Sequence, residues 1–198
     1  MAIMAALITP VVLENRVVRL EPFAERHRVP LREAGNDPDL WRFHGLNQYN
    51  QTFDRYFDHY LAETEAGREC AFAVIDVTSG AVAGGSNYLA VNPANKRLEI
   101  GSTWYAKPFQ GGLTNPAAKR LLIGHVLDTL GWNRVEFKLD RRNARSWAAM
   151  RKLGAVEEGI HRDHMILPDG HVRSSVWFSI LPGDWPRVKA GLDARLQG

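Results

Sequence analysis

Two short stretches carry residues whose types and spacing can do chemistry. The first is Trp104-Tyr105-Ala106-Lys107-Pro108-Phe109-Gln110-Gly111-Gly112-Leu113-Thr114-Asn115-Pro116. A strand pattern ends at Tyr105 and a Gly-Gly loop follows. The spacing then predicts a helix with Asn115 as N-cap and Pro116 at its first position. The first-turn N–H groups of a helix lack internal partners, and with the helix dipole they attract anions. Adjacent glycines let the backbone approach a bulky anion such as a diphosphate, and Lys119, one turn in, is placed to add positive charge. The alternative is a tight turn before a capped helix. Neither G-x-x-x-x-G-K-[ST] nor G-x-G-x-x-G occurs, which argues against a P-loop NTPase and a dinucleotide fold.

The second stretch, Asp140 to Trp147, follows an alternating strand and opens a helix. Arg134 to Lys152 holds seven Lys/Arg and two acidic residues. Asn143 and Ser146 are three apart, so both can face a ligand crossing the helix start, while Asn143 also suits an N-cap. Trp147, Met150 and Leu153 read as the buried face of that helix. The seven His show no metal-ligand spacing and Cys70 is the single cysteine, so no metal site and no internal disulfide is expected.

The elements that must position these stretches are mixed. Strands are predicted at Val17–Leu20, Ala71–Val77, Val82–Val91, Leu98–Tyr105, Arg134–Leu139, Ala155–Leu167 and His171–Leu181. Turns fall at Ser79-Gly80 and Pro168-Asp169-Gly170. Helical patterns cover Pro22–Ala34, broken by Pro30, then Asp37–Trp41, Thr52–Glu65, Thr114–Leu130, Asn143–Leu153 and Asp184–Leu196. In Thr52–Glu65 the residues Phe53, Tyr56, Phe57, Tyr60 and Leu61 recur at helical spacing. This is an α+β pattern. No linker or repeat appears, so one domain over residues 1–198 is expected, with 1–13 a loosely ordered start.

Of 198 residues, 45% are hydrophobic and 24% charged, which excludes global disorder. The net charge of +3 is uneven: residues 1–100 carry 10 Lys/Arg against 13 Asp/Glu, and residues 101–198 carry 15 against 9. No basic leader precedes the apolar start, and that run is too short to span a bilayer. A cytoplasmic protein without membrane partners is expected.

The order of Leu98-Glu99-Ile100-Gly101, the Gln110-Gly111-Gly112 loop, and Asn143-Ala144-Arg145-Ser146 through Lys152-Leu153-Gly154-Ala155 resembles the GNAT (GCN5-related N-acetyltransferase) superfamily. Within it, the branch of the ribosomal-protein N-terminal acetyltransferases is most similar. Arg162-Asp163-His164-Met165 and Asp184-Trp185-Pro186 also look like this branch. The resemblance runs from Val17 to Leu181. It implies a mixed, mostly antiparallel sheet flanked by helices, splayed between the family's fourth and fifth strands to hold acetyl-CoA.

By that similarity, Thr103, Trp104 and Tyr105 present backbone groups to the acetyl and pantetheine, and an N–H among them stabilises the oxyanion. Gln110, Gly111, Gly112, Leu113, Thr114 and Asn115 hold the pyrophosphate. Asn143 and Ser146 contact the pantetheine or the departing sulfur. Glu99 is the candidate general base, with a salt-bridge role as its alternative. His44 and His164 are candidates for binding the amine acceptor, a peptide N-terminus or small α-amine. The sequence departs from the family at Leu113 and Asn115, where the common loop has small residues, and at Met150, where many members place an acidic Tyr. Ser146 or water is left as the proton donor. Missing Tyr also motivates a non-catalytic acyl-CoA sensor, and the basic segment a nucleic-acid binder, ranked last; no nucleic-acid partner is expected. A homodimer is left open.

Overall fold

The computed structural model describes residues 7–44 and 52–197. Eight strands form one sheet: β1 Leu13–Glu14, β2 Val18–Pro22, β3 Cys70–Asp76, β4 Val82–Asn92, β5 Arg97–Tyr105, β6 Arg134–Asp140, β7 Val156–Ile166 and β8 Val172–Ile180. Their order is β1-β2-β3-β4-β5-β6-β8-β7. Every neighbouring pair is antiparallel except β5 and β6. Five helices flank it: α1 Arg28–Ala34, α2 Phe53–Glu65, α3 Thr114–Gly124, α4 Ala144–Leu153 and α5 Trp185–Gln197. The mixed, mostly antiparallel sheet that the family resemblance implies is what forms.

Strand alternation sends side chains to two cores. Leu98, Ile100, Val135, Phe137, Val176 and Phe178 join α3, α4 and α5 in the larger one. Trp104 joins an aromatic cluster on the opposite side with Trp41 and the α2 stripe of Phe53, Tyr56, Phe57 and Tyr60. That stripe is the one its helical spacing predicts. Leu7 and Ile8 N–H donate to Gly67 O, and Ile8 is buried. Pro22 ends β2, so the first helix is shorter than Pro22–Ala34. Pro30 sits in the first turn of α1, where its missing N–H costs no ladder bond. The helix expected over 114–130 is α-helical only to Gly124 and closes in a π turn, His125–Thr129.

Two irregularities shape the centre of the sheet. The parallel β5–β6 ladder is three residues long, Arg97–Glu99 against Arg134–Glu136, and then the strands part. From Ile100 to Tyr105, β5 has no strand partner on that side. On its other side, Asn87 opposes Gly101 and Gly85 opposes Trp104, so β5 has one residue more than β4 between these pairs. Ser102 takes up the extra residue with φ of 46°. Such a bulge re-aims side chains: Thr103 and Tyr105 turn toward α3, whereas unbroken alternation from Glu99 would put them on the α2 side. Gly84 allows the strands to close here, since a Cβ on it would stand 2.1 Å from Trp104 O.

Candidate active site

The opening between β5 and β6 is bounded at one end by the Gly111-Gly112 loop. Gly111 has φ of 79°, a region that favours glycine. Gln110 Nε2 donates to Tyr105 O at 2.7 Å and ties the loop to the strand end. The helix starts two residues earlier than expected. Leu113 is the N-cap and offers no side-chain cap bond, so Asn115 is not the cap and Pro116 is not the first residue. Pro116 lacks an N–H and Ala117 N–H already donates to Leu113 O. The free first-turn donors are therefore the N–H groups of Leu113, Thr114 and Asn115.

Lys119 does not point to this helix end. It turns under the sheet and is 4% exposed. Its Nζ donates to Thr103 Oγ1 at 2.9 Å and lies 3.5 Å from Ser86 Oγ; the two hydroxyls are 2.7 Å apart. Across the opening it lies 5.6 Å from the centre of the Phe137 ring on β6. Burial pushes its pKa down to about 7. The expectation of a phosphate-side charge is thus corrected. α3 lies with this turn against the sheet, and the lysine braces the bulge.

Glu99 is 4% exposed on the face opposite Lys119. Burial raises its pKa, and the Lys138 ammonium, 3.1 Å away on β6, pulls against that rise. The salt-bridge alternative for Glu99 is therefore what its side chain does here. Gly101 leaves room for the carboxylate: a Cβ there would stand 2.8 Å from Glu99 Oε1. Beyond it, Ser102 Oγ and Tyr60 OH are 3.0 Å apart. The Asn87 side-chain amide is buried beside Tyr60. The Trp104 indole turns away and donates to Tyr56 OH at 3.2 Å, and the Tyr105 ring is buried in the larger core. These two residues offer only backbone to the opening.

His44 and His164 approach this face from opposite ends of the chain. His44 packs edge-on against Trp41, and burial with the Arg173 charge pushes its pKa down to about 4. Gly45, Leu46 and Asn47 of the same loop lie outside the described residues. β7 is not the unbroken strand expected. Between His161 and Met165 it has two residues more than β8, and Asp163 is left-handed at φ of 49°. That bulge brings His164 Nδ1 to 3.1 Å from Ser175 Oγ and its ring against Trp177. Arg173 is felt electrostatically by His44, Glu99, Asp140 and His164 alike, so the guanidinium lies within electrostatic reach of all four.

At the other edge of the opening, Asn143 caps α4, its Oδ1 accepting from Ser146 N–H at 3.0 Å. Among the described residues the half-buried Ser146 hydroxyl makes no hydrogen bond. Met150 and Leu153 are buried and Trp147 packs on Phe178, as their helical spacing predicts. Sequence reading missed Lys138, Arg173, Ser86 and Tyr60. The available signal at Arg173 was the single charge in the run Val172–Ile180, whereas Lys138 is one of four charges alternating along β6 and does not stand out.

The acetyltransferase (GNAT) domain model matches residues 18–156, which spans both edges of the opening. The chain belongs to the GNAT acetyltransferase family. A GCN5-related N-acetyltransferase from Brucella melitensis superimposes with a TM-score of 0.85 at 30% identity, covering 94% of this chain and 88% of that one. Among curated proteins, "Putative ribosomal N-acetyltransferase YdaF" of Bacillus subtilis (strain 168) is 33% identical over 99 residues. That match spans 50% of this chain and 53% of YdaF. Mycobacterium smegmatis RimJ, solved with CoA-disulfide, shares the GNAT fold at 20% identity, with a TM-score of 0.76 and 93% of each chain covered. Among the described residues no helix is long and apolar enough to cross a membrane, and no three His, Cys, Asp or Glu group to hold a metal.

Proposed function

We propose that the chain, acting as one domain, transfers an acetyl group from acetyl-CoA to a primary amine by direct attack. The observation that carries this is the β5–β6 pair, which parts after three residues beside a helix whose first-turn donors are open. The pyrophosphate binds the Leu113, Thr114 and Asn115 N–H groups and the Gly111-Gly112 backbone. The pantetheine runs along the unpaired edge of β5, with Asn143 and Ser146 on its far side. An N–H from Thr103 to Tyr105 stabilises the oxyanion that forms when the amine nitrogen attacks the thioester carbon.

An α-amino group has a pKa of about 7.7–8.0, so it must shed a proton before or during attack. Glu99 takes that proton, directly or through a water. Its raised pKa brings it nearer to that of the amine, which is the matching a general base needs. The C–S bond then breaks and CoA leaves as thiolate. Ser146 or a water protonates it, since the Met150 thioether has no proton to give. His44 and His164 line the acceptor side, both held below the usual imidazole range and thus neutral near pH 7. Buried Cys70, its thiol pushed up to about 12, stays inert, which fits a cytoplasmic enzyme.

The test is calorimetry with acetyl-CoA on wild type, Gly111→Val and Asn143→Ala, followed by CoA release across an amine panel. Micromolar binding weakened in both variants, with amine-dependent CoA release, supports the reading. Binding without release for any amine would instead establish an acyl-CoA sensor, the reading that Met150 favours.

A further inference from the structure

Arg173 lies on the β8 face that also carries Ser175 and Trp177, and only 6% of it is exposed. Among the described residues it makes no ion pair and no hydrogen bond, and its Nε is closed off from solvent with no partner. The two carboxylates whose charge it feels are already engaged. Glu99 is held by Lys138 at 3.1 Å and Asp140 by Arg142 at 2.9 Å.

A guanidinium stays protonated in proteins, so it cannot escape burial by losing its charge. An unpaired buried charge is costly, and protein interiors supply a partner. Here none comes from the described residues. The neighbouring imidazoles, His44 and His164, carry no negative charge. Arg173 therefore presents an unmet demand for an anion on the sheet face where Lys138 holds Glu99. The planar fork of arginine matches a carboxylate with two parallel hydrogen bonds.

We propose that Arg173 binds a carboxylate carried by the amine acceptor itself. The substrate class is then an amino acid or short acidic peptide, with its amine at Glu99 and its carboxylate at Arg173. This inference rests on the acetyl-transfer reading and narrows it. Polyamines and neutral peptide N-termini leave Arg173 unpaired and are disfavoured.

The experiment compares acceptors that differ only in one carboxylate, with acetyl-CoA saturating and CoA release as readout. Alanine is set against alaninamide, to test an α-carboxylate. Ala-Glu amide is set against Ala-Gln amide, to test a side-chain one. A charge-assisted hydrogen bond contributes about 1.5–3 kcal/mol, or roughly 10- to 100-fold in KM. The expected result is a KM at least tenfold lower for the acid of one pair. Arg173→Gln should abolish that preference, raising KM for the acid at least tenfold more than for its amide. Arg173→Lys should restore part of it. A merely structural arginine would shift acid and amide together. Equal use of acid and amide by the wild type overturns the assignment, and this comparison stands even if the variants do not fold. Preference surviving in Arg173→Gln overturns it too. If neutral amines are acetylated and the acids are not, only the Arg173 assignment falls. If no amine is acetylated by a protein that binds acetyl-CoA, the acetyl-transfer reading falls with it.

Discussion

Glu99 sits where two opposing effects meet. Burial raises its pKa and the Lys138 ammonium restrains that rise. A base must be ionised to work, so kcat/KM should fall as pH drops through the raised Glu99 pKa. Lys138→Met removes the restraint, and the acid limb of the pH–rate profile should move to higher pH. Glu99→Gln should cost about 10²-fold in kcat/KM and remove the limb altogether. A limb unchanged in Lys138→Met would mean that another group titrates there. Gly101 was legible as part of a motif, but its reason was not. Its missing Cβ is the space the Glu99 carboxylate uses. Gly101→Ala should therefore lower activity with little loss of acetyl-CoA affinity, measured by calorimetry beside turnover.

At the scale of elements, α3 and the bulged β5 are joined through Lys119, Thr103 and Ser86. The Lys119 pKa falls from about 10.4 in the unfolded chain to about 7 in the folded one. Between these values the unfolded state binds the extra proton, so folding stability should rise with pH, by about 1 kcal/mol per pH unit above 7 from this group. Below pH 7 the burial penalty is felt in full. Urea unfolding at pH 7 and pH 9 should show that slope in wild type and lose it in Lys119→Met. Equal slopes would mean that the lysine stays charged beneath the bulge. The α4 cap shows the opposite case. Asn143 was readable as an N-cap because that role needs only its own next three residues. The inward turn of Lys119 needed the rotation of a whole helix against the sheet.

The whole molecule is one sheet whose two halves meet at a three-residue parallel ladder. On the proposed reading, acetyl-CoA in the opening would bridge what the backbone leaves unbridged. Acetyl-CoA at 100 times its Kd should stabilise the fold by about 2.7 kcal/mol. For a chain of this size that is a Tm shift of roughly 5–10 °C. No shift with acetyl-CoA or CoA would remove the opening as the binding site. The residue order by itself determined the strands and hairpin turns, the aromatic stripe of α2, the Asn143 cap and the α+β pattern. Each depends on dihedral preference or on a period of two or 3.6 residues, which are local. Only the tertiary structure decided where β5 parts from β6, which way Thr103 and Lys119 face, and that Glu99, His44 and His164 all come within electrostatic reach of Arg173. Those outcomes depend on register and packing between segments far apart in the chain, and one extra residue in a strand reverses every side chain after it.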